Sequence, residues 1–293
     1  YHPLFNSSET DIILSSSDNL WYRVHSYTLR NTSGFFRAMF SLPQPRRSES
    51  SSQSTSGSSV DDHSSASEPA VDPSQQLPLL SCCDVIERVL SLSEMWDAPG
   101  PISFIRMGIT NPTLLAIEPV RIYAIACHFG WTEARELAAQ HTLTLDLLGE
   151  EEEQRTEPTN DPINTLLNLR KRRVDTFRML LNSPVRFSAG NTPDYLCARC
   201  GVTQLDNRSW RQMKDALMLE IERRPLGDEI LGKAVKGLGG TDPVNLGVVS
   251  WPEARPCWEA QCTKEGCGGL NYDRVATLRQ IAYCIDALPL QVD

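Results

Sequence analysis

Residues 5–40, FNSSETDIILSSSDNLWYRVHSYTLRNTSGFFRAMF, determine the fold that we predict for the amino-terminal part of the chain. The short apolar run at residues 12–14 (IIL) predicts a buried strand, and residues 17–19 (SDN) carry side chains typical of a tight turn. Residues 20–25 then alternate in side-chain character with the period of a second strand. Apolar side chains at helical spacing follow in residues 29–40. The predicted order is therefore strand, turn, strand and two compact helices.

Nine residues of this stretch occur in the order and spacing of a known family. The sequence resembles the start of a BTB/POZ domain, of the type expanded in fungi. The matching positions are Asp11, Val24, His25, Leu29, Arg30, Ser33, Phe36, Met39 and Phe40. The resemblance implies an α+β interaction domain without an active site, commonly a homodimer and often an adaptor. We expect the interaction surface to include Asp11, His25, Leu29, Arg30, Phe36 and Phe40.

Residues 118–143, EPVRIYAIACHFGWTEARELAAQHTL, predict a helical hairpin. Pro119 suits the first position of a helix, and Gly130 suits the left-handed residue that closes it. Thr132 is a good cap for the second helix. The motifs RIYAIACHFGW and AAQHTL resemble the segment that follows the BTB core in fungal BTB proteins. We therefore assign residues 1–148 to a BTB/POZ-like domain.

A Ser-rich tract interrupts this domain. Twelve of the thirty-one residues at 46–76 are Ser, and such a composition cannot bury enough apolar surface to offset the entropy of ordering. We therefore expect a disordered insertion at about residues 43–76. BTB domains usually place a further strand and an acidic-apolar helix here, and the family docks cullin scaffolds partly through that helix. Cullin binding is consequently not expected for this chain.

Apolar residues at helical spacing predict another helix after the insertion, with an apolar stripe formed by Val85, Val89, Leu92 and Trp96 and widened by Ile86 and Leu90. Residues 149–160 form an acidic, Pro-punctuated linker, because like charges repel and extend the chain. Beyond it we predict a mainly helical domain at residues 161–293. Its first helix carries the run RKRR at residues 170–173. We interpret this run as a solvated basic face, with a nuclear-import signal as the alternative.

Charge and hydropathy restrict the class of protein. The formal net charge of -9 opposes general attraction to nucleic acid or anionic lipid. Apolar runs stay far below the roughly 20 residues that a membrane span needs, and the first residues show no signal-peptide pattern. Nine cysteines, an odd number, do not suggest a disulfide framework. We expect an intracellular protein, in the cytoplasm or nucleus, that does not bind membranes.

Two pairs of cysteines predict a metal site in the second domain. Cys197 and Cys200 form a C-x-x-C motif, and Cys262 and Cys267 lie downstream among glycines that permit tight turns. Four thiolates at tetrahedral angles suit structural zinc, with Cys257 as a substitute ligand. The alternative is a set of buried free thiols, because Cys is among the most interior residue types.

Catalytic motifs are missing from the sequence: it has no phosphate-cradling Gly loop, nucleophile elbow or H-E-x-x-H. We therefore expect a non-enzymatic protein that self-associates or binds partners as an adaptor. One alternative is a transcription-associated zinc protein that contacts nucleic acid. Residues 184–293 hold 13 Lys+Arg against 14 Asp+Glu, which argues against this alternative. A cysteine-dependent enzyme is a third hypothesis, and it requires one hyper-reactive thiol.

Overall fold

The structure, a computed structural model, describes four stretches of the chain: 1–42, 82–146, 161–232 and 247–292. The predicted Ser-rich insertion at about residues 43–76 and the acidic linker at 149–160 lie outside the described residues. The chain divides into two compact units, residues 1–109 and 110–293. This division falls ahead of the helical hairpin that the sequence places in the first domain. No helix in the described stretches has the length and apolar character needed to cross a membrane.

The first unit contains one two-stranded sheet and four helices in its described part. Its elements are β1 Ile12–Ser15, β2 Trp21–Val24, α1 Ser26–Thr32, α2 Gly34–Ser41, α3 Cys83–Met95 and α4 Pro99–Gly108. The strands are antiparallel, with Leu14 opposite Tyr22. Asn19 takes a left-handed conformation (φ 62°) between them, as the predicted turn requires. The predicted order of strand, turn, strand and two helices is confirmed, but the prediction that the first strand is buried is wrong, because Ile13 is 56% exposed.

The first turn of α2 binds the chain beyond the end of α3. The main-chain N–H of Gly34 donates to Asp97 O at 2.8 Å, and that of Phe35 donates to Trp96 O at 3.2 Å. A Cβ on Gly34 would collide with the Asp97 carboxylate, which would then have to turn away. The contact sets the ring of buried Phe36 against Trp96, with 5.6 Å between ring centroids. Unpaired N–H groups of one helix thus anchor a distant segment.

Helix α3 forms where the periodicity predicts it. Of the predicted apolar stripe, Ile86 and Leu90 are buried. The exposed members are Val85, Val89, Leu92 and Trp96. Helical periodicity thus identifies the helix but not which side of the stripe meets the core.

The second unit is helical in its described part apart from a few turns. Its helices are α5 Pro112–Ile117, α6 Pro119–His128, α7 Thr132–Thr142, α8 Asp161–Leu181, α9 Ser188–Asn191, α10 Arg208–Arg223, α11 Asp228–Leu231, α12 Arg255–Glu259 and α13 Arg274–Asp286, with a 3-10 turn at Gly247–Val249. The α6–α7 hairpin is confirmed, with Gly130 in the left-handed region (φ 66°). One core joins α8, α10 and α13 through side chains such as Phe177, Leu217 and Ile281. The coarse α+β class is confirmed for the described residues.

Two arginines of the RKRR run are buried at the convergence of three helix ends. Arg170 is 6% exposed and Arg173 is 1% exposed, whereas Lys171 is exposed. Their guanidinium groups donate to seven main-chain carbonyl oxygens near the C-terminal ends of α7, α10 and α13. The acceptors are Thr142, Leu145 and Arg223 for Arg170, and Pro225, Leu226, Leu288 and Pro289 for Arg173. The predicted solvated basic face is therefore wrong at these two positions.

These arginines satisfy groups that helices leave unpaired. The last carbonyls of a helix have no partner within it, and their dipoles favour a cation. Each guanidinium offers five donors in a fixed plane, so one side chain can serve several carbonyls. Burial lowers the pKa of Arg170 and that of Arg173 to about 10, which still leaves both charged at neutral pH. A nuclear-import signal would need these side chains accessible, and they are not.

We predict that Arg173→Met destabilises the protein by about 3 kcal/mol, because four carbonyl acceptors lose their donor while the apolar stem is retained. Urea unfolding measures the loss as a lower midpoint with an unchanged slope. Lys171→Met is the matched control, since it removes an exposed charge two residues away on the same helix and should change stability little. Equal losses in the two variants would contradict the role assigned to Arg173.

Candidate metal centre

The first cysteine pair lies in a tight main-chain turn between α9 and α10. The Cys197 N–H donates to Thr203 O at 2.8 Å, and Leu196 forms an antiparallel bridge with Gln204. Gly201, directly after Cys200, has a φ of 64°. This left-handed residue reverses the chain, which glycine does without steric cost. The turn holds both sulfurs on one side of a short ribbon.

The second pair lies in a similar ribbon ahead of α13. The Cys262 N–H donates to Gly269 O at 2.8 Å, and an antiparallel bridge joins residue 261 to residue 270. Gly268, directly after Cys267, has a φ of 57°. Each pair therefore ends in Cys-Gly with the glycine in the left-handed region. This repeated Cys-Gly is a sequence signal that the cysteine spacing alone did not convey.

The structure brings the four predicted ligands together. Their Sγ atoms all lie within 4.8 Å of one another. The Sγ atoms of Cys197 and Cys267 are 3.8 Å apart, and those of Cys200 and Cys262 are also 3.8 Å apart. A disulfide would need about 2.05 Å. A tetrahedron with metal–sulfur bonds of about 2.3 Å has edges of about 3.8 Å, so this cluster can hold a metal ion.

Hydrogen bonds from the main chain stabilise thiolates in the first ribbon. N–H groups of Val202 and Thr203 lower the pKa of Cys200 to about 6. N–H groups of Cys200 and Arg199 lower the pKa of Cys197. The main chain therefore presents partial positive charge to these two sulfurs, as it does around anions bound in turns.

The third sulfur shows the opposite effect. The Gly269 N–H favours a thiolate at Cys267, but burial and the neighbouring thiols raise its pKa to about 11. Like charges within a few ångströms disfavour one another's ionised form. Without a cation nearby, Cys267 is therefore harder to ionise than Cys197 and Cys200.

Cys257 is not part of the cluster. It lies on α12, fully buried in the helical core of the second unit, and burial raises its pKa to about 12. It cannot serve as the substitute ligand that the sequence suggested. All nine cysteines are free of disulfide bonds.

The predicted interaction residues lie in the β1–β2 and α1–α2 part of the first unit. Five of them are exposed or half-buried: Asp11, His25, Leu29, Arg30 and Phe40. Phe36 is buried and supports this surface from below. The Asp11 carboxylate accepts the Ser26 N–H at 2.7 Å and the Ser26 hydroxyl, and these bonds lower its pKa. Asp11 therefore caps the start of α1.

Comparisons of this chain with protein-family models, with curated proteins and with solved structures give no match. The likeness to BTB/POZ domains consequently stays a prediction from the quoted motifs.

In metal-free protein at pH 7, we predict that iodoacetamide modifies Cys200 before Cys257. The thiolate is the reactive form, and a pKa of about 6 leaves Cys200 mostly ionised while a pKa of about 12 leaves Cys257 neutral. Lowering the pH from about 7 to about 5 carries Cys200 through its pKa and should slow its modification about tenfold. Peptide mass spectrometry quantifies both sites. A Cys200 rate that does not depend on pH in this range would contradict the assignment.

Proposed function

We propose that this chain is a non-enzymatic, intracellular protein-interaction protein whose second unit is held together by a structural zinc ion. Cys197, Cys200, Cys262 and Cys267 would bind the ion. The first unit would bind other polypeptides, by self-association or as an adaptor. The observation that carries the proposal is the close approach of four thiols, all within 4.8 Å of one another, in a site built from two ribbons.

Zinc is the metal that best suits this donor set. Four thiolates at tetrahedral spacing are typical of structural zinc sites, and zinc needs no redox partner. Four protein ligands leave no position for a water or substrate, which supports a structural rather than a catalytic role. Nine free thiols also suit a reducing compartment.

The proposed ion would connect the starts of two core helices. The first ribbon leads into α10, and the second leads into α13. Trp210 near the start of α10 and Tyr272 before α13 are buried and stack with ring centroids 6.0 Å apart. A metal that joins the ribbons would fix the two chain segments that lead into these helices. Its binding free energy would then contribute to folding.

The exposed side of α3 supports a role in protein binding. Val85, Val89, Leu92 and Trp96 follow one another at intervals of four, three and four residues. This spacing is typical of the apolar seam along which one helix packs against another. Val85 is 56% exposed and Leu92 is 44% exposed, whereas the Trp96 ring also packs against Phe36, so the described residues cover the seam only in part. Large exposed apolar patches on a soluble protein usually mark interaction sites. The resemblance to BTB/POZ domains supports the same role.

A nucleic-acid role for the zinc unit has less support. The described structure buries two of the four basic residues in the RKRR run, so these charges cannot contact phosphates. The balance of charge in residues 184–293 offers no basic footprint. Salt-dependent retention on DNA would favour this alternative, whereas failure to bind at low salt would exclude it.

We predict about one zinc ion per purified chain, measured by elemental mass spectrometry. Cys200→Ser should lose the metal and lower the melting temperature, because three thiolates and a hydroxyl bind zinc much more weakly. Cys257→Ala is the matched control and should retain the zinc, since Cys257 lies in the helical core. Loss of zinc from both variants, or no metal in the parent protein, would contradict the site.

We also predict that replacing Val89 and Leu92 together by Ser reduces partner binding at least about tenfold while the fold remains intact, because both side chains are exposed. Quantitative mass spectrometry of proteins retained by the immobilised chain measures the effect. Val185→Ser, which changes a 92% exposed residue of the second unit, is the control. Identical retention by the double variant and the parent would argue against the α3 seam.

A further inference from the structure

The two edges of the β1–β2 sheet differ. Along the edge that faces away from β1, β2 binds the amino-terminal segment. The His2 N–H donates to Trp21 O and the Arg23 N–H donates to Phe5 O, both at 2.8 Å. Trp21 and Arg23 therefore direct these main-chain groups away from β1. Because successive residues of a strand alternate, the groups of Tyr22 point towards β1.

This alternation defines the free edge of β1. Tyr22 lies opposite Leu14, and Val24 lies opposite Ile12, so these two pairs exchange the hydrogen bonds of the ladder. The N–H and C=O groups of Ile13 and Ser15 must then point away from β2. No main-chain hydrogen bond to these outward groups occurs among the described residues.

The free edge lacks the usual protection against pairing. Proteins blunt exposed edges with charged side chains, Pro or bulges. Residues 12–15 (IILS) contain no charge and no Pro, and their register with β2 runs without a bulge. Ile13 is 56% exposed beside this edge. An unprotected edge of this kind can accept another strand.

We propose that β1 pairs with β1 of a second copy of this chain, antiparallel, about a two-fold axis that passes through Leu14. The result is one four-stranded sheet in the order β2, β1, β1 of the second copy and β2 of the second copy. The inference rests on the proposed function and specifies how the chain would self-associate. It assigns this contact to the sheet edge and not to the α3 seam.

Self-complementarity favours a second copy as the occupant. With the axis at Leu14, Ile13 lies opposite Ser15 of the second copy, and their outward groups exchange hydrogen bonds. Leu14 meets Leu14 of the second copy, which pairs two apolar side chains. Asp11 falls opposite Ser17, so no like charges are opposed. A two-fold contact uses the same patch on both copies, as this edge allows.

The contact is small, so the dimer should be weak. Four main-chain hydrogen bonds and one pair of leucines predict dimerisation at about 10–100 µM rather than at nanomolar concentration. Sedimentation velocity of the full, metal-loaded chain across this range measures the association. A monomer throughout the range would overturn the proposal.

Ile13→Pro tests the edge directly. Proline removes the outward N–H and leaves the β1–β2 ladder intact, because the Ile13 N–H does not point towards β2. Ile13→Thr is the matched control, since it keeps the N–H and a β-branched side chain. We expect the Pro variant to stay monomeric at about 100 µM and the Thr variant to dimerise like the parent. Equal dimerisation of the Pro and Thr variants would overturn the proposal.

A second variant defines the register and does not depend on the folding of Ile13→Pro. In Leu14→Cys, the two new thiols face each other across the axis with Cα atoms about 4.5 Å apart, a spacing that permits a disulfide. Ile12→Cys faces Ser16 of the second copy and should not cross-link to itself. Non-reducing electrophoresis and peptide mapping detect the bond between the two residues at position 14. Equal cross-linking of both variants would overturn the register.

Hydrogen exchange distinguishes the other occupants of the edge. We expect the amides of Ile13 and Ser15 to be protected in concentrated protein and to exchange rapidly in dilute protein. Protection in a monomer would mean that another segment of the same chain covers β1, and it would overturn the proposal. A dimer that persists in Ile13→Pro but disappears when Val89 and Leu92 are replaced would also overturn it, while it would support the proposed function.

Discussion

The second unit brings four cysteine sulfurs close together, and the charge on these sulfurs has to be balanced. Their Sγ atoms lie within 4.8 Å of one another, and main-chain N–H groups favour thiolates at Cys197 and Cys200. The same crowding raises the pKa of Cys267. Without a cation, the cluster would contain both thiolates and neutral thiols. This mixture reduces the repulsion between the sulfurs, but a neutral thiol is a poor metal ligand. A divalent ion would remove this conflict, and the four sulfurs lie close enough together to hold one.

Two buried arginines of this unit also balance charge, among the main-chain carbonyls of helix ends. Three helices end close together, and their last carbonyls concentrate partial negative charge. Arg170 and Arg173 place guanidinium groups among these carbonyls. Buried charges are costly unless hydrogen bonds compensate them, and here several main-chain oxygens do so. Removing either arginine would leave acceptors that neither water nor another side chain can easily reach.

Local signals in the sequence predicted the elements well. The turn at Asn19, the left-handed Gly130 and the strand β2 all depend on neighbouring residues. The cysteine cluster was predicted because C-x-x-C brings two ligands together without help from the rest of the fold. The RKRR run was misinterpreted, because its sequence does not show whether its side chains meet water or the ends of other helices. The buried face of α3 was missed for the same reason: it depends on contacts between distant segments.

The first unit differs from the second in how it uses its apolar residues. Among the described residues up to Ile109, six apolar side chains are buried, whereas sixteen large ones are exposed. A small core yields little stability, because conformational entropy opposes folding in proportion to length. Covering part of this surface with another polypeptide would remove apolar area from water without lengthening the chain. The uncharged β1 edge and the ordered α3 seam offer two such places, one through main-chain hydrogen bonds and the other through side-chain packing. The proposed assembly would use these places to cover apolar area that the small core of the described residues leaves exposed.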